Sequence, residues 1–116
     1  MEQCIFCQIA EKKLKSEIIY QDDRVVVFKD ILPKKPIHWL VIPRKHIDSI
    51  GGLEAEDIEL AGHFLLTIKK LAAKHGFADD GYRVVINTRT HGGQEVDHLH
   101  LHVLAGEPAG PMVSNS

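Results

Sequence analysis

Three imidazoles fall at every second position of Asp97-His98-Leu99-His100-Leu101-His102-Val103-Leu104. On an extended chain successive side chains alternate faces. His98, His100 and His102 are therefore expected to point one way, with Leu99, Leu101 and Val103 pointing the other. The aliphatic set can pack under a helix, which leaves a row of imidazoles on a groove or on solvent. A strand with no task on that face would use Thr, Lys or Glu. Two chemistries suit the row: imidazole is a common metal ligand, and it is both a good nucleophile and a good leaving group near neutral pH, which suits covalent catalysis at phosphorus or carbon. At strand rise the three span about 13 Å. All three can hardly ligate one zinc through bonds of ~2.0–2.1 Å without bending the strand, so a division of labour is expected. Just upstream, Gly92-Gly93-Gln94-Glu95-Val96 supplies small residues and backbone N–H groups able to line an anion site. The only cysteines, Cys4 and Cys7, form one C-x-x-C; with no export signal in view, they read as a reduced thiol pair or a metal clip rather than a structural disulfide.

These groups need a scaffold, and the chain has 116 residues to build it, 44% of them hydrophobic. That length fits one domain able to hold a core without staples. With 14 basic and 16 acidic residues the formal charge is −2, which argues against a nucleic acid polymer as partner. No apolar run is long enough to cross a bilayer or to serve as a signal peptide, so a soluble, cytoplasmic protein is expected. A short helix is predicted over 6–10, strands over 18–20, 25–30 and 38–43, and a long helix over 54–75 closed by Gly76. Strands over 82–87 and 97–105 follow, joined by a loop. Strands grouped on both sides of one long helix indicate α+β with an antiparallel sheet. The domain is expected to occupy 1–106, with 107–116 as a tail, either a surface arm or a partner-contacting strap. The apolar residues of the long helix form a band wider than one core-facing stripe needs, which predicts a homodimer.

The run from Gly92 to Leu104 resembles the signature of the histidine triad (HIT) superfamily, His-φ-His-φ-His-φ-φ with φ hydrophobic. Ile5-Phe6, Tyr20-Gln21-Asp22-Asp23, Phe28-Lys29-Asp30-Ile31, His38-Trp39-Leu40-Val41-Ile42-Pro43 and Gly81-Tyr82-Arg83-Val84-Val85-Ile86-Asn87 are similar, in the same order, to the Hint branch. The resemblance implies a homodimer that binds a purine nucleoside monophosphate or phosphoramidate and cleaves at the α-phosphorus. His100 would be the nucleophile, forming a nucleotidyl-histidine that water hydrolyses, and His102 would hydrogen-bond phosphate oxygens. Asp30 would take the ribose hydroxyls, while Phe6, Ile9 and Phe28 would wall the base and His38 would lie near the nucleoside. Asn87, Gly93, Glu95 and Val96 would meet the phosphate side. Glu95 stands where animal members carry a serine, and a carboxylate there repels phosphate unless protonated or turned away. The tail also lacks the aromatic residue of the animal proteins. Zinc-binding members join such a cysteine pair to two histidines, which here gives Cys4, Cys7, His46 and His98 as a structural Cys₂His₂ zinc set. His63, His75 and His91 read as surface or structural, with His91 the nearest to the phosphate side. Alternatives to the phosphoramidase are a dinucleoside polyphosphate hydrolase, a nucleotide-binding regulatory protein with incidental turnover, and a metal-dependent hydrolase.

Overall fold

The computed structural model describes residues 3–113; the last three residues of the expected tail, 114–116, lie outside them. Helix α1 (Ile5–Ala10) opens the chain, and its N-cap is Cys4, whose Sγ accepts the Cys7 N–H. Strands β1 (Ile18–Gln21), β2 (Val25–Lys29) and β3 (Ile37–Pro43) follow. Two 3₁₀ turns (Ile50–Gly52 and Ala55–Asp57) lead into α2 (Ile58–Lys74). Strand β4 (Arg83–Val85), helix α3 (Arg89–Gly92) and β5 (Leu101–Ala105) complete the order. The sheet runs β1-β2-β3-β5-β4 with every pair antiparallel.

The register divides the sheet into two faces. Val25 and Val27 of β2, Trp39 and Val41 of β3, and Leu101, Val103 and Ala105 of β5 share one face with Leu99, packed against Phe64, Ile68, Leu71 and Ala72 of α2. Removing a side chain such as Leu101, 1% exposed, should cost about 2–5 kcal/mol. The opposite face carries Val26, Phe28, Leu40 and Ile42, covered at one end by Phe6, Ile9 and Ala10 of α1. His38, His102 and Leu104 occupy the rest of that face, because His102 is paired with Leu40 and Leu104 with His38. One helix on one face and a half-covered opposite face leave room for a cleft.

Helix α2 buries a narrower stripe than its apolar content suggests. Ile58, Leu65 and Leu66 stay exposed. Its first expected turn is 3₁₀, held by the reciprocal Glu54–Asp57 capping box, and it ends at the His75 cap before Gly76, whose φ is +83°.

Two strands differ from expectation. β4 covers only 83–85, and α3 stands in what read as loop. β5 begins at Leu101 rather than Asp97. The ladder with β3 stops at Val41↔Leu101, because Leu99 N–H turns away to the Ile47 carbonyl (2.7 Å) and His98 N–H to the Val96 carbonyl (2.8 Å). Pro43, at the end of β3, has no N–H to offer, and its carbonyl is taken by the His98 ring. The alternation of faces survives this bend, but the expected open row does not: His98 is fully buried and His100 is 5% exposed.

Candidate active site

Hydrogen bonds to the backbone settle which nitrogen of each imidazole carries the proton. His98 Nε2 donates to the Pro43 carbonyl at 2.9 Å. A neutral ring has one N–H, so Nδ1 of His98 is a bare lone pair. It faces Cys4 Sγ at 3.3 Å and Cys7 Sγ at 3.5 Å. His100 is fixed the other way, with Nδ1 donating to the His98 carbonyl at 2.7 Å. The bare lone pair of His100 is therefore Nε2. His38 Nδ1 accepts the Lys34 N–H at 3.0 Å, which puts its proton on Nε2. That N–H reaches His102 Nδ1 at 2.9 Å and has Asp30 Oδ2 at 3.3 Å.

The two ends of the 98–102 segment differ in surroundings. At the sealed end, Cys4, Cys7, His46 and His98 bring one donor atom each within 4.8 Å of one another, with Cys7 Sγ 3.2 Å from His46 Nδ1. Burial, then the neighbouring Cys4, pushes the Cys7 thiol up to about 11, so a thiolate here needs a cation beside it. Burial also drives the His98 imidazole down to about 4, which keeps it neutral as a metal ligand must be. A tetrahedral ion with bonds of about 2.3 Å to sulfur and about 2.0 Å to nitrogen holds its ligands about 3.5 Å apart, close to the spacings found. The four residues thus form a possible metal-binding group.

At the other end lies a cleft of about 730 Å³, within the usual range for small-molecule sites. His100 and His102 open into it, and so do all of Phe6, Ile9, Phe28, Asp30, His38, Asn87, Gly93, Glu95 and Val96. Phe6 from α1 meets His100 edge-on at 5.1 Å, His98 at 6.0 Å and Phe28 at 5.6 Å. Burial first, then the neighbouring His100 and His38, holds His102 down at about 4. His102 is thus neutral near pH 7. Burial likewise lowers His38, against the opposing pull of Asp30. Asp30 Oδ1 is tied to the Leu32 N–H at 2.9 Å.

The Asn87 amide donates to the Gly92 carbonyl at 2.6 Å, so it shapes the 87–93 loop from within. Gln94 fastens the same loop: its Nε2 donates to the Asp48 carbonyl (2.6 Å) and the Val96 carbonyl (2.9 Å), and its Oε1 accepts the Arg89 N–H (2.8 Å). Arg89 holds a left-handed φ of 56°. Lys15, Ser16, Lys34, Val85 and Leu104 also line the cleft and escaped the sequence reading; for Leu104, two residues on from His102, the period-two pattern was a usable signal, whereas Val85 reaches the cleft through its pairing with His102 and the loop residues offered none. Of the remaining histidines, His63 pairs with Asp22 at 2.7 Å, His75 packs on Trp39, and His91 is exposed on α3, not among the cleft residues.

A single antiparallel α+β sheet with coupled imidazoles in an apolar cleft, beside a buried thiol–imidazole group, defines a small and recognisable class. Residues 3–115 match the family described as "Scavenger mRNA decapping enzyme C-term binding". The chain is 43% identical to purine nucleoside phosphoramidase of Escherichia coli K12 over 114 residues, 98% of this chain and 96% of that protein. Its fold superposes on a histidine triad protein from Clostridium difficile with a TM-score of 0.93 and 41% identity, over 96% of both chains. A HIT family hydrolase from Clostridium thermocellum gives a TM-score of 0.93 and 37% identity, over 98% of this chain and 99% of that one. The chain belongs to the histidine triad family.

Proposed function

We propose that this protein hydrolyses purine nucleoside phosphoramidates at the α-phosphorus. The observation that carries the reading is the bare Nε2 of His100, fixed by the His98 carbonyl behind it and open to the cleft. His100 Nε2 attacks phosphorus, the P–N bond breaks, and the leaving nitrogen takes a proton from solvent water in the cleft to depart as the neutral amine. Water then attacks the nucleotidyl-histidine, releasing the nucleoside monophosphate and restoring the imidazole. His102, neutral and held by His38, donates from Nε2 to a phosphate oxygen as charge builds there. Phe6, Ile9 and Phe28 supply the apolar walls for the base, Asp30 takes the ribose hydroxyls, and the loop of Asn87, Gly93, Glu95 and Val96 receives the phosphate. The relative's purine nucleoside phosphoramidase activity supports the same substrate class. Mass spectrometry of acid-quenched enzyme should find a nucleotide adduct on His100; an adduct elsewhere, or none during turnover, would refute the covalent route.

The Cys4, Cys7, His46 and His98 group is assigned to a structural zinc. Four protein ligands leave no open position for water, so the ion would stiffen the segment presenting His100 and supply no catalysis. About one zinc per purified chain is expected. The domain is taken as 1–106 with 107–116 as a tail; Lys35 reaches the Pro108 carbonyl and Arg83 the Gly110 and Pro111 carbonyls, which supports a tail laid along the surface. The exposed Ile58, Leu65 and Leu66 of α2, and Tyr82 and Ile86 flanking edge strand β4, are apolar side chains that favour a homodimer; sedimentation at micromolar concentration should give twice the 13.0 kDa mass. Among the described residues no helix is long and apolar enough to cross a membrane, which agrees with a cytoplasmic enzyme.

A further inference from the structure

His38 has one proton to give and two acceptors for it. Its Nδ1 is committed to the Lys34 N–H at 3.0 Å, so only Nε2–H is free to donate. His102 Nδ1 stands 2.9 Å from that nitrogen and Asp30 Oδ2 3.3 Å. The shorter contact favours His102, while the charge of a carboxylate makes Asp30 the stronger acceptor. All three side chains border the cleft, and the His38 side chain is 3% exposed, so water cannot easily supply a second donor.

The outcome of this contest matters to His102. When His38 donates to its Nδ1, the neutral His102 ring must carry its own proton on Nε2 and can donate to a phosphate oxygen. When Asp30 captures the His38 proton, Nδ1 of His102 loses its donor. The ring is then free to take the other tautomer, which turns a bare lone pair on Nε2 toward the phosphate and repels it. We propose that ribose decides the contest: hydroxyls donating to Asp30 weaken its hold on His38, and His38 then fixes His102 as a donor. This inference rests on the phosphoramidase reading and extends it, making His38 a positioning residue and the sugar a determinant of turnover as well as of binding.

The test compares adenosine 5′-phosphoramidate with its 2′,3′-dideoxy analogue on the intact protein. Wild-type enzyme should lose about tenfold or more in kcat on the dideoxy substrate, beyond any rise in KM. His38→Ala should lower kcat on the ribose substrate and erase the sugar dependence of kcat. His38→Gln carries two amide N–H groups, so it can serve both acceptors; it should recover part of the lost kcat with a ratio between sugars near one. Asp30→Asn should also bring that ratio near one while raising KM for the ribose substrate. Nitrogen-15 shifts of His102 give a readout independent of turnover: adenosine monophosphate should fix the Nε2–H tautomer, and 2′,3′-dideoxyadenosine monophosphate should leave it mixed. Equal kcat for both sugars in wild-type enzyme, or the same His102 tautomer with both nucleotides, would overturn this inference and leave the phosphoramidase reading standing. Failure to turn over the ribose substrate at all would overturn both.

Discussion

His98 and His102 lie four residues apart on one face of one segment, yet they occupy opposite chemical settings. His98 is closed in by two thiols and His46 with no exposure to water. His102 opens into a cleft beside His38 and Asp30. Between them, His100 is anchored by the carbonyl of His98 itself. The three rings also differ in how the protein holds them: a backbone carbonyl takes Nε2 of His98 and Nδ1 of His100, while a side chain meets Nδ1 of His102. Identical side chains are thus left in different states by their hydrogen-bond partners: a bare Nδ1 on His98 facing two thiols, a bare Nε2 on His100 at the cleft, and a His102 ring whose Nδ1 has a donor beside it. The contrast teaches that the motif specifies a face and its surroundings specify the role.

The strongest way to break this contrast is His100→Ala, which should cut turnover of adenosine 5′-phosphoramidate by roughly three powers of ten or more and change the affinity for adenosine monophosphate little, as read by steady-state kinetics and calorimetry. An effect of the same size from a change at the sealed end would dissolve the division. At that end, Cys7→Ser should abolish bound zinc and cost on the order of 3 kcal/mol of stability, measured by metal analysis and urea denaturation, with a smaller loss in kcat than His100→Ala.

Acid should sharpen the comparison in protein stripped of metal. His98 protonates near 4 when folded and at its ordinary value of about 6.5 when unfolded, so between those values the unfolded chain binds more protons. The stability due to its neutrality is fully present above the unfolded value and is lost as pH falls toward 4, about 3 kcal/mol in all. His102 shifts in the same direction, but its partial exposure makes its share smaller. Urea midpoints at pH 7.5 and 4.5 check this; an unchanged midpoint would remove buried neutral imidazole from the account. The smallest effect expected is Phe6→Leu, about 1 kcal/mol in nucleotide affinity, because Phe6 touches both His98 and His100 and its loss should be felt weakly at both ends.

Much of the scaffold was legible because its period is plain. β2 and β3 hold apolar runs of strand length, and the helix expected over 54–75, which is α2 (Ile58–Lys74) with a 3₁₀ turn before it, ends just ahead of Gly76 as glycine's left-handed freedom dictates. The bend at 97–100 was not legible, because it depends on a carbonyl of Ile47 from a distant loop competing for the Leu99 N–H, and no local propensity encodes that. α3 was missed because four residues running into Gly92 and Gly93 carry no helical period. The residues assigned to the nucleotide site from the resemblance all border the cleft; the alternation of the triad segment fixes the face of His100 and His102 alone, and the others reach it from α1, β2, β3 and the loops. The His38 to His102 hydrogen bond was invisible because it joins residues 64 apart through a strand pairing that the sequence leaves open.

Gln94 is wholly engaged within the protein. Both of its N–H groups and its oxygen are already spent on three backbone partners, so a visiting nucleotide would find in it a rivet rather than a hand. Under the proposed function, any recognition from this stretch would fall to its main-chain amides. Since one of those partners, Asp48, lies two residues beyond His46, slack introduced at the cysteine end would reach this stretch through the Gln94 contact, alongside the Arg89–Asp48 pair and the Leu99–Ile47 bond.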